Sequence, residues 1–168
     1  MTQTWASTTI NADPLTKIHL AIAHGLLSND HLMSLVRPGN FYSHIGDMPI
    51  QAKPVASESD LPELVLYPAG WPLLGTPSDG IIFLRDFRIL IRSGDQRVDN
   101  GINQCGWALL RAIHQLRRTK FGLPDIIIDA RILGAEESME TEPGRPVGWT
   151  LNVQLQVKFK IADWEAGL

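Results

Sequence analysis

The sequence predicts an α+β fold: an antiparallel sheet with a long carboxy-terminal strand, and helices packed on one face of it. Three observations carry that expectation. Residues 149–161 alternate without a break between apolar side chains at odd positions (Trp149, Leu151, Val153, Leu155, Val157, Phe159, Ile161) and polar ones at even positions; only a half-buried strand keeps period two for that long. The stretch 102–118 places Ile102, Cys105, Gly106, Leu109, Ala112, Ile113 and Leu116 on one helical stripe. Strand-like segments flank that helix in consecutive pairs, the order of an α+β sandwich rather than of a parallel sheet.

The elements follow in order. Residues 1–12, rich in Thr and Ser, read as an extended arm anchored by Trp5, and residues 13–168 as a single domain. Asp13-Pro14 supplies a cap and a first-turn proline, and Leu15, Ile18, Ile22 and Leu26 recur at helical spacing, so a helix is expected over 14–27. Ser28-Asn29-Asp30 breaks it, and a short helix over 31–36 ends before Pro38-Gly39. Residues 38–60 lack periodicity and read as a long loop with one short strand near Ile50; loops of that length commonly meet a partner, which makes Phe41 and Tyr42 candidate contact residues. A strand over 63–67 ends at Pro68, and a Pro/Gly-rich loop runs to Gly80.

Residues 81–92 read as a strand with Phe83, Arg85, Phe87, Ile89 and Ile91 on one face and Ile82, Leu84, Asp86, Arg88, Leu90 and Arg92 on the other. Asp99-Asn100-Gly101 offers caps for the helix over 102–118, whose end carries Arg111, Arg117, Arg118 and Lys120, suited to the negative end of its dipole. Gly106 on the apolar stripe predicts close packing against the sheet. Residues 125–135 form a strand with Ile126, Ile128 and Ile132 on one face and Asp129 and Arg131 on the other. The final strand of 13 residues would span about 44 Å at ~3.4 Å per residue, so it is expected to overhang its own domain.

Composition narrows the function classes. The chain has 168 residues, 44% of them apolar, and 15 Lys+Arg against 18 Asp+Glu for a net charge of −3. Its one cysteine, Cys105, excludes an internal disulfide and a thiolate-rich zinc site. The charge balance argues against a free-standing nucleic-acid binder, which needs a surplus of cations to displace phosphate counterions. No secretory signal is present, and the most apolar stretch, 64–75, is interrupted by Pro68 and Pro72 and is far shorter than a bilayer span. These features predict a soluble intracellular protein with no membrane contact.

Residue constellations for catalysis are weak. His24 and His31 lack a carboxylate that would complete a metal-binding set. Cys105 and His114 stand nine residues apart on one helix, about 14 Å along its axis, too far for a nucleophile and base. The segment Gly70 to Thr76 has phosphate-loop glycine spacing but no lysine, and Pro72 and Pro77 obstruct a backbone nest. Glu136, Glu137, Glu140 and Glu142 cluster in the turn between the last two strands, where solvation defeats the separation of pKa values that acid–base catalysis requires. Arg85, Arg88, Arg92 and Arg97 fit either a solvated sheet face, acids of a neighbouring subunit or nucleic-acid phosphate, and Lys158 and Lys160 extend that polar face.

The order of a short first helix, Pro68-Ala-Gly70, the strand from Phe83 to Arg92 ending in Gly94-Asp95, the helix from Asn100 to Leu116 with a Trp107-Ala-Leu core, Leu123-Pro-Asp125 and the late Gly148-Trp149 strand resembles tail terminator (tail completion) proteins of long-tailed bacteriophages and related neck proteins. The resemblance covers about residues 13–162 and rests on architecture and spacing; the long segment 38–60 departs from the pattern. It implies a non-enzymatic virion subunit, made in the host cytoplasm, that forms a hexameric ring capping the tail tube and joining it to the head connector. It also implies no cofactor, and DNA passing through without specific binding. On that reading Trp5, Phe41, Tyr42, Arg85, Arg88, Arg92, Glu136, Glu137, Glu140, Glu142, Lys158 and Lys160 are candidate contacts with neighbouring copies or with tail and connector proteins. Two alternatives stay open: a hotdog-like thioesterase or dehydratase, which needs an acid and a His together at the central helix, where Asp99 and His114 lie at opposite ends; and an adaptor or ligand-binding module.

Overall fold

The computed structural model describes residues 14–36, 41–43, 62–70, 73–93, 101–138 and 147–160. Helix α1 (Pro14–Leu27) and helix α2 (Asp30–Leu35) open the chain; the strands are β1 (Phe41–Ser43), β2 (Glu63–Gly70), β3 (Leu73–Gly75) and β4 (Gly80–Ser93). Helix α3 (Ile102–Arg118) and a 3₁₀ turn (Lys120–Gly122) lead to β5 (Ile127–Ser138) and β6 (Val147–Lys160). Among the described residues six strands form one sheet in the order β1-β2-β4-β6-β5, with β3 pairing the start of β4. Every pairing is antiparallel except β1 on β2. The expected α+β architecture is therefore present.

The helices cover the face that the odd residues of β4 and β6 present. Ile18, Ile22 and Leu26 of α1 and Leu109, Ala112 and Ile113 of α3 are buried with Phe87, Ile89, Ile91, Leu151, Val153 and Leu155 in one core. Each of these side chains larger than alanine, fully removed from water, favours folding by roughly 1.5–3 kcal/mol. Two glycines set how closely the layers approach. A Cβ on Gly106 would stand 2.9 Å from the Trp149 ring, so α3 approaches β6 this closely because that position has no side chain; one on Gly25 would stand 2.5 Å from a methyl of Leu116, whose flexible end would have to shift for α1 to keep its distance from α3. The close packing expected at Gly106 is thus present, against a named partner.

Local signals placed most boundaries. Asn29 caps α2, its Oδ1 accepting from the Leu32 N–H at 2.9 Å, so that helix starts at Asp30 rather than His31. Gly101 occupies the cap position of α3 without a side-chain bond; Asp99 and Asn100 lie outside the described residues. After α3, Lys120, Phe121 and Gly122 take φ of 50°, 54° and 74°, a left-handed run that turns Phe121 into the core, where it is buried.

Four expectations need correction. The final strand does not overhang its domain: β6 is interior to the sheet, paired with β4 from Gly80↔Lys160 to Ser93↔Val147 and with β5 from Ile127↔Val157 to Ser138↔Gly148. Three long strands of 14, 14 and 12 residues satisfy one another's backbone groups. The strand expected to stop at Pro68 continues to Gly70; β1 pairs only Leu64–Leu66 of β2, so the proline falls where no outer strand needs its N–H, beside a register shift. The loops on either side of it each contribute a short strand, β1 and β3. In β5, register shifts between Ile127 and Asp129 and between Ile132 and Gly134 break the expected apolar face: Ile126 and Ile132 pack against the core as expected, but Ile128 is exposed, Ile127 takes the buried position, and Leu133 is exposed. The expected strand near Ile50, the arm with Trp5 and Arg97 lie outside the described residues.

Candidate assembly surface

The sheet face opposite the helices is built in rows. Asp86 of β4, Gln154 of β6 and Arg131 of β5 lie side by side, as do Arg88, Asn152 and Gly134, then Leu90, Thr150 and Glu136. Gln154 donates to Asp86 at 3.0 Å, Arg131 pairs with Asp129 at 2.8 Å, and Lys158 reaches Asp79 at 3.3 Å. The Asp129 carboxyl is held below its usual range, first by the hydrogen bond from Arg131 and then by the Ala130 N–H, with Arg117 adding a more distant positive charge. Because Gly134 has no side chain, an open groove of about 380 Å³ runs between Asp86, Arg88, Leu133, Glu136 and Asn152. A second, of about 220 Å³, lies between Leu74, Leu84, Asp129, Arg131, Gln154 and Gln156. Both are open and lined by polar and apolar groups together, with Asp129 and Arg131 of the second already paired, the composition of a wet contact surface rather than of an enclosed ligand site.

The expected contact residues are distributed unevenly over this frame. The three strand arginines part company. Arg85 turns to the helix side, half-buried, with its guanidinium 5.3 Å from the Phe87 ring centroid. Burial pulls its pKa below the usual range, opposed by the neighbouring Asp86. Its Nε has no hydrogen-bond partner among the described residues. Arg92 pairs with Glu63, a carboxylate that is 1% exposed, and so secures β2 to β4. Arg88 alone of the three is exposed on the open face. Phe41 is fully buried in this chain's own core, opposite Leu64, which withdraws it from any partner. Tyr42 takes a β1 position opposite Val65. Lys160 is exposed at the end of β6, and Glu136 is exposed near the end of β5. Glu137 pairs with Trp149 in register, whereas Trp5, Glu140 and Glu142 lie outside the described residues.

A second surface was missed in the sequence. Trp107, assigned to the helix core, is 61% exposed. It starts a line of exposed side chains down the outer face of α3: Trp107, Arg111, His114 and Arg118, at spacings of four, three and four residues. At 3.6 residues per turn all four fall within an arc of about 60°. That periodicity was readable: the same count that gathers Ile102, Leu109 and Ile113 inward puts residue 107 on the opposite side.

Chemistry beyond contact has little to build on. Among the described residues no three His, Cys, Asp or Glu side chains are grouped to hold a metal ion, and Cys105 is buried on the apolar side of α3. His114, which a hotdog-like site would need inside against an acid, faces outward. No described helix is long and apolar enough to cross a membrane.

No protein-family model matches the sequence, and no curated protein matches it. Among solved structures the fold is similar to that of a chain in the virion of a native gene transfer agent particle. The TM-score is 0.56 at 14% identity, over 84% of this chain and 94% of that one. At that identity the likeness is one of fold.

Proposed function

We propose that this chain is a non-enzymatic structural subunit of a phage-like virion, a tail terminator or neck component whose copies form a ring that caps the tail tube and joins it to the head connector. The observation that carries the reading is the fold likeness to a gene transfer agent virion chain, which spans nearly the whole of both proteins. It agrees with the resemblance read from residues 13–162. The position of β6 inside the sheet withdraws the overhanging strand from the argument, so association is assigned to side-chain surfaces instead. The open face of β4, β6 and β5 offers exposed Arg88, Glu136 and Lys160, with polar rows between them, to neighbouring copies or to tube and connector proteins. The arm with Trp5 is assigned to a neighbour as well. A net charge of −3 suits a ring through which DNA passes without being held. On this reading the protein resides in the virion and uses no cofactor.

The test is the mass of the purified chain by light scattering, with electron microscopy of the same sample. A closed ring, six-membered by the resemblance, is the expected species. Deleting the gene should leave filled heads and tails that do not join. A chain that is monomeric at high concentration, with particles that assemble normally in its absence, refutes the proposal.

A further inference from the structure

We infer that the outer face of α3 is the socket of the ring contact, and that it receives the acidic end of the β5–β6 pair from a second copy of this chain. The inference rests on the ring reading and names the surfaces that would close it.

The socket is the line Trp107, Arg111, His114, Arg118, all exposed. Between residues 102 and 120 the sequence has four Lys and Arg side chains and no Asp or Glu, so α3 brings only positive charge to its outer face, with an indole at one end of the strip. From Trp107 to Arg118 it runs about 16 Å at ~1.5 Å per residue. A large exposed tryptophan beside arginines is the composition found at the anchoring centres of protein interfaces.

The occupant is identified by charge. Residues 136–142 read Glu-Glu-Ser-Met-Glu-Thr-Glu, four acids with no base and one apolar side chain, Met139. Six residue steps of chain reach up to about 20 Å, enough to follow the strip. A methionine amid the acids matches an indole amid the arginines, since thioether and aromatic ring attract each other.

Geometry favours a second copy over the chain's own segment. The acidic end of β5 and β6 sits level with the start of α3, because Trp149, opposite Glu137, is the side chain that would meet a Cβ on Gly106. The basic end of α3 lies toward the other end of β5, where Arg117 acts on Asp129. On one molecule the described acid Glu136 and the basic end of α3 therefore stand at opposite ends of the same helix. A head-to-tail neighbour brings them together and leaves one free socket and one free acidic end, the condition for a ring.

The experiment uses the full-length chain and measures assembly mass at a fixed concentration. Arg111→Glu/Arg118→Glu and, separately, Glu136→Lys/Glu140→Lys/Glu142→Lys should each lose the ring and give monomers, with circular dichroism unchanged because the described positions are exposed. Mixing the two reversed variants, or combining all five changes in one chain, should restore the large species. Trp107→Gln, which carries no charge change, should weaken assembly at least tenfold. Rings that persist in both reversed variants overturn this contact while leaving the ring reading intact. Dimers that close and grow no further under the same rescue overturn the head-to-tail contact and the ring together, and a monomeric unaltered chain overturns this contact.

Discussion

Gly106→Ala should change the sign of its effect according to what stands opposite it. Within a helix, alanine is favoured over glycine by about 0.8–1.0 kcal/mol, so on an open helix face the substitution stabilises. At Gly106 the added methyl would lie 2.9, 3.1 and 3.2 Å from three ring atoms of Trp149. These belong to a rigid indole and cannot swing aside like the end of a flexible chain. Overpacking of this kind costs about 1–3 kcal/mol, which leaves a net loss near 1 kcal/mol. In a Trp149→Leu background the ring atoms are gone, and the same substitution should gain about 0.9 kcal/mol. The coupling between the two positions is then about 2 kcal/mol, well outside the additivity of independent sites. For a chain of this size 1 kcal/mol moves the melting midpoint by about 2–4 °C, so Gly106→Ala should lower it in the parent and raise it in the Trp149→Leu variant. Denaturant unfolding followed by circular dichroism, at one fixed protein concentration because association adds to stability, measures all four corners of the cycle. Equal effects in both backgrounds would refute the close approach of α3 to β6.

Two further outcomes test the polar framework. Arg92→Met leaves the Glu63 carboxylate buried without its cation and should cost about 3 kcal/mol or more, whereas Glu63→Leu with Arg92→Met should recover most of that loss in the same unfolding assay; a neutral single variant would show that the pair does not hold β2 to β4. Asp129 titrates below its usual range because Arg131 donates to it, so its contribution is present above about pH 4 and fades as the pH falls through the lowered value; in Arg131→Met, NMR titration of the carboxyl should move upward toward the ordinary range, and an unchanged midpoint would dismiss the hydrogen bond as the cause.

Local periodicity determined much of this protein. Period two fixed β6 and β4 almost to the residue, and helical spacing fixed α1 and α3 at their observed limits, because both patterns depend only on which side of a local element meets water. The inward side of α3, the buried Cys105 and the close packing at Gly106 follow from the same counting. Tertiary structure alone decided what lies beside each element. Whether a long strand ends in solvent or runs between two equally long partners is set by pairing with β4 and β5, segments tens of residues away, and nothing within residues 149–161 encodes it. The same holds for the two bulges that expose Ile128 and Leu133, for Arg92 closing on a buried Glu63, and for Phe41 entering the core from a segment without periodicity. Trp107 stands between these cases: its outward angle was contained in the helix count, but only the packed molecule showed that α1, α2 and the sheet occupy the other sides of α3 and leave that indole uncovered.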